Sequence, residues 1–124
     1  MKVVSAKDCG NSPKKLFIQN HLIASAKKDI FELEATFAAD IIWTIAGSDR
    51  ICGKKEVLDS FNKNCTDNIV EVGIHHIITH GSTAAANGSY KTANNSQISF
   101  CHVYSFVSAG KNIIKEMTTY LIRV

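Results

Sequence analysis

The sequence predicts an α+β domain: three N-terminal helices packed on the concave face of a strongly curved, mixed but mostly antiparallel sheet, in the order α-α-β-α-β-β-β-β. Three observations predict it. Apolar residues recur at helical spacing in the first half of the chain. After Lys63 they alternate, or gather in β-branched and aromatic runs. Short turns rich in Gly, Asn and Ser then break the chain at intervals that suit an antiparallel meander. Helices first and strands last is the layering of an α+β fold. A length of 124 residues suits one domain, which we place at 12–124 behind a polar, irregular lead-in at 1–11.

Each element has a local reason. Ser12-Pro13 is a helix start, with Ser as N-cap and Pro at the first helical position, where its missing N–H costs nothing. From Lys14 to Lys28, Phe17, Ile18, Leu22, Ala24 and Ala26 share one side, and His21 falls inside that apolar arc. Asp29 with Glu32 has the form of a capping box, opening a second helix that should end near Ala38-Ala39-Asp40. Ile41 to Ile45 is a strand closed by Ala46-Gly47, and a third helix is expected from Gly53 to Asn62. Strands follow at Ile69–Thr79, Thr83–Thr92, Gln97–Val107 and Ile113–Val124. The third of these alternates cleanly, with Ile98, Phe100, His102, Tyr104 and Phe106 on one face.

Composition narrows the functions. The chain is 45% hydrophobic with a net charge of +3, and its lysine pairs are scattered rather than gathered into a stripe beside aromatics. Nucleic-acid binding is therefore not expected. No apolar run approaches the ~20 residues that cross a bilayer, so no membrane partner is expected. Met1 to Lys15 hold no apolar stretch of the signal-peptide kind, and a cytoplasmic location is the expectation. Cys9, Cys52, Cys65 and Cys101 show no Cys-x-x-Cys spacing and read as reduced thiols. His75, His76 and His80 resemble a metal cluster only on paper. On a regular strand the first two point to opposite faces, and about 13 Å separates the last two. With no glycine-rich phosphate loop either, neither metal nor cofactor is expected.

The helix end Ala26-Lys27-Lys28-Asp29-Ile30, the run Phe37 to Gly47, Gly53-Lys54-Lys55-Glu56-Val57, and the hairpin Tyr104-Ser105-Phe106 to Ser108-Ala109-Gly110-Lys111 carry a family resemblance. Together they resemble the nuclear transport factor 2-like superfamily, in particular its ketosteroid isomerase-like and SnoaL-like polyketide cyclase branches. The likeness covers about 12–124. It implies a cone-shaped pocket between helices and sheet, and a homodimer formed through the outer sheet face. It also implies where working groups sit. The isomerase branch keeps a hydrogen-bonding tyrosine where this chain has His21, an aspartate base where it has Thr44, and a protonated aspartate where it has His102. All three positions depart from the isomerase pattern, and steroid isomerisation by that mechanism is not expected.

What survives is a pocket for a small hydrophobic molecule. His21 and His102 are the candidate acid and base, since imidazole titrates near neutral pH. Phe17, Trp43, Thr44, Phe100, Tyr104, Glu116 and Thr118 are candidate lining. Alternation lets only one of Trp43 and Thr44 face inward, and the sequence leaves that open. On the last strand Glu116 and Thr118 are placed inside, where a carboxylate would orient the His102 ring. Two readings remain: a cofactor-independent enzyme of isomerase, dehydratase or cyclase type, and a non-catalytic ligand-binding or interaction module. A cone filled by Phe17, Phe100 and Tyr104 would speak against both.

Overall fold

The computed structural model describes residues 1–7, 10–63 and 68–124. Along the chain run β1 (Lys2–Ser5), α1 (Pro13–Lys27), α2 (Ile30–Glu34), β2 (Phe37–Ile45), β3 (Arg50–Cys52), α3 (Lys54–Lys63), β4 (Ile69–His80), β5 (Thr83–Thr92), β6 (Gln97–Ser108) and β7 (Lys111–Arg123). The seven strands form one mixed sheet in the order β1-β4-β5-β6-β7-β2-β3. The α+β class and the three helices are as the sequence predicts.

The helix starts follow their local signals. The Ser12 hydroxyl accepts the backbone N–H of Lys15, and the Asp29 carboxylate accepts that of Glu32. Lys28 closes α1 in the left-handed conformation, and its N–H bonds back to the Ser25 carbonyl. Ile18, Leu22, Leu33 and Val57 from the helices are buried with Phe100, Tyr104 and Phe106, which β6 presents on one face. That face carries the core.

Four expectations need correction. The lead-in at 1–11 contains β1, which pairs parallel with β4, Lys2 opposite Glu71. Its four residues are too few to show a period, and the partner strand supplies the order. Helix α2 ends at Glu34, and Phe37 to Asp40 already belong to β2. A register irregularity there, between Phe37 and Ile42 opposite β7, makes this stretch of strand look helical in its spacing. A short β3, unmarked in the sequence, pairs antiparallel with β2. Finally, β4 is not regular at its histidines. A bulge between Ile74 and His76 leaves both His75 and His76 exposed instead of on opposite faces.

Even with that kink, no group of three or more His, Cys, Asp or Glu stands in metal-binding array among the described residues. Cys52 and Cys101 are free thiols, whereas Cys9 and Cys65 lie outside the described residues. Among the described residues no helix is long and apolar enough to cross a membrane.

Candidate functional site

Helices α1 and α3 lie against the sheet face that carries Phe100, His102 and Tyr104, and a cavity of about 110 Å³ remains between them. From α1 it is lined by His21, Ser25 and Ala26, and from α3 by Phe61. The sheet supplies Trp43, Ile69, Tyr90, His102, Met117, Thr119 and Leu121. No carboxylate, lysine or arginine is among these described lining residues.

Strand pairing explains the set. Trp43 stands beside Met117 across β2 and β7, and His102 opposite Thr119 across β6 and β7. Paired residues share a face, so these four point the same way. Thr44 and Thr118, the next pair along, point to the opposite face together with Val103. Trp43 therefore faces the cavity and Thr44 does not. Glu116 is exposed and Thr118 half-buried on the outer side, so neither lines the site. A carboxylate beside His102 was the wrong partner to expect, because the apolar Met117 and Leu121 fix which side of β7 is inward.

The aromatic candidates narrow the cone rather than line its cavity. Tyr104 is fully buried between His21 and His102, with ring centroids 5.7 and 6.0 Å away. Phe100 stacks on Tyr90 at 4.5 Å and leans on His102 at 5.1 Å. Phe17 meets the edge of Phe106 and stacks beside His21. None of the three lines the cavity, Phe17 is only half-buried, and the cone is narrowed but not filled. The cavity that remains is below the ~300 Å³ at which ordinary ligand pockets begin.

The two histidines differ in their bonding. His21 is 2% exposed and packs edge-on against Phe37 and Tyr104. Neither of its ring nitrogens has a hydrogen-bond partner, and the Tyr104 hydroxyl beside it has none either. Buried polar groups are nearly always satisfied, so this pair is an exception that calls for an explanation. His102 is held from both sides: Nδ1 lies 2.7 Å from Thr119 Oγ1, and Nε2 lies 3.4 Å from the Tyr90 hydroxyl. The same Thr119 oxygen accepts the indole N–H of Trp43 at 2.8 Å. Trp43 in turn stacks on Phe61 at 4.9 Å.

Burial sets the protonation states. Loss of water disfavours the imidazolium, taking His21 down to about 3, with a further push from His102. The same cause takes His102 down to about 4. Burial raises the Tyr104 hydroxyl well above its usual value. At neutral pH both imidazoles on the cavity wall are therefore uncharged. Such a site can donate and accept hydrogen bonds to a neutral molecule. It has nothing to offer a carboxylate or a phosphate.

The structure brings His21, His102 and Trp43 together on this cavity, and adds Thr119, Tyr90 and Phe61, which the sequence does not single out. Thr119 was legible through its shared face with Met117. Tyr90 on β5 and Phe61 on α3 reach the cavity only through the assembled fold.

No protein-family model matches the chain, and neither does any curated protein. Solved structures do match. A Kribbella flavida protein assigned as a ketosteroid isomerase aligns at a TM-score of 0.75 with 14% identity, covering 90% of this chain and 78% of its own. A Shewanella denitrificans protein assigned as a SnoaL-like polyketide cyclase aligns at 0.74 with 12% identity, covering 90% and 92%. A Cytophaga hutchinsonii NTF2-like protein of unknown function aligns at 0.67 with 24% identity, covering 86% and 97%. Identities this low speak to architecture and not to reaction. The helices, the sheet order and these alignments agree, and the chain has the nuclear transport factor 2-like fold.

Proposed function

We propose that the chain binds a small, uncharged, oxygen-bearing molecule in the cavity between α1, α3 and the sheet. The single observation that carries this reading is His21: a buried imidazole, both nitrogens unpartnered, on the wall of a cavity free of charge. A carbonyl or hydroxyl group on a compact apolar body would satisfy that ring and leave the Trp43, Phe61 and Met117 walls to apolar contact. The cavity volume of about 110 Å³ limits the molecule to roughly the size of one small ring.

Two neutral imidazoles on one cavity also support a second reading, proton transfer of the isomerase, dehydratase or cyclase kind. General bases work best with a pKa near the operating pH. Values of about 3 and about 4 make the site a better hydrogen-bonding site than a proton acceptor. Binding is the reading we favour.

Trp43 is the only tryptophan in the chain, so its emission reports on the cavity directly. Titration with cyclohexanone or phenol at pH 7 should change that emission and raise the melting temperature. Both effects should vanish in His21→Phe, which removes the unpartnered nitrogens. If no small ketone or phenol shifts either signal, the ligand reading falls and an interaction module acting through the sheet remains.

For that sheet we propose a homodimer through the outer face. Ile78, Val103, Tyr120 and Ile122 are exposed there on neighbouring strands. A shallow depression of about 210 Å³ lies beside them, lined by His76, Ala85 and Cys101 among others. Exposed apolar patches of this kind mark interaction surfaces.

A further inference from the structure

We propose that Trp43 and Thr119 are positioning residues, which hold His102 in the tautomer that carries its proton on Nε2 and so present an N–H donor to the cavity. The argument follows the donors along the chain of contacts. An indole N–H can only donate, so the 2.8 Å contact makes Thr119 Oγ1 its acceptor. The hydroxyl proton of Thr119 then needs an acceptor of its own. Among the described residues the one within reach is His102 Nδ1, at 2.7 Å. An Nδ1 that accepts carries no hydrogen. In a neutral ring the proton is therefore on Nε2.

Nε2 faces the Tyr90 oxygen at 3.4 Å. That is long for an N–H···O bond, whose usual range is about 2.7–3.2 Å. The donor is loosely engaged, on a ring that lines the cavity with Tyr90. The upstream part of the relay is firm by contrast. Thr119 is 2% exposed, and Trp43 is clamped flat against Phe61 with 12° between ring planes. Burial of the relay strengthens each bond within it. The fold thus spends an indole and a hydroxyl on one imidazole nitrogen and leaves the other on its longer contact with Tyr90, at the cavity wall. His21, whose ring nitrogens have no hydrogen-bond partner, supplies the acceptor that His102 in this state lacks.

The purpose of the N–H rests on the ligand reading above. The tautomer itself belongs to the ligand-free protein, and that separates the two in experiment. Protein with ¹⁵N-labelled histidine, free of ligand at pH 7, should show His102 as the Nε2–H form in long-range ¹H–¹⁵N spectra. Thr119→Val should move it towards the Nδ1–H form and weaken cyclohexanone binding about fivefold, the worth of one hydrogen bond. Thr119→Ser, which keeps the hydroxyl, should restore both. Trp43→Phe keeps the stacking face and loses the N–H, and should enlarge the Nδ1–H population if Thr119→Val does not fold. A wild-type His102 in the Nδ1–H form overturns the relay, as does a tautomer unmoved by Thr119→Val. If the tautomer is as expected and cyclohexanone does not bind, the relay stands and the ligand reading falls.

Discussion

His21 and His102 set a stability cost that is readable in pH. In the unfolded chain an imidazole takes up a proton near ~6.5. In the folded protein burial holds that uptake back to about 3 for His21 and about 4 for His102. Between those limits the unfolded state binds more protons, so stability falls as the solution is acidified below ~6.5 and is complete above it. Each ring contributes about 1.4 kcal/mol per pH unit. Urea unfolding at pH 5 should therefore give a stability roughly 4 kcal/mol below that at pH 7. His102→Gln and His21→Phe should each remove about half of the slope, and an unchanged slope in both would show that the rings are not buried neutral. At this scale the sequence was partly legible. The helical arc around His21 and the alternation around His102 place both rings inward from local pattern alone. On β7 the sequence is ambiguous, because Glu116 offers an ion partner on one face while Met117 and Leu121 offer apolar surface on the other. In the structure the apolar face is the one that turns inward.

Among the elements, β4 and β5 approach each other very closely at one point. A methyl group added at Gly88 would stand 1.8 Å from the Gly73 carbonyl oxygen across the pair, a distance no side chain can hold. This approach sits next to the bulge at His75, where the two strands lose register. Gly88→Ala should destabilise the protein by more than ~3 kcal/mol, measured by denaturant unfolding. Gly110→Ala, in the open β6–β7 turn with nothing within 4 Å, is the matched control and should change little. The elements written in local chemistry were the legible ones: the Ser12 and Asp29 caps and the turns between β4, β5, β6 and β7. The four residues of β1 and three of β3 carry no period of their own and exist only because a neighbour offers a free edge.

At the level of the whole molecule, the outer sheet face makes the test of assembly. Val103→Glu places a charge among Ile78, Tyr120 and Ile122 and should convert a dimer into a monomer in sedimentation velocity, with the Trp43 emission unaltered. A wild-type chain that is already monomeric at tens of micromolar would remove the dimer reading. The order of the sheet also governs how it can be assembled in time. Its middle, β4 to β7, is a run of neighbouring hairpins, but Lys2 waits for Glu71 and Phe37 waits for Ile114. Closing such long loops is slow, because chain entropy is lost before contacts repay it. During synthesis at ~5–20 residues per second, β1 spends several seconds without its partner. In the finished sheet the four residues of β1 cover the outer hydrogen-bonding edge of β4, and a chain whose front is displaced bares that edge to another strand.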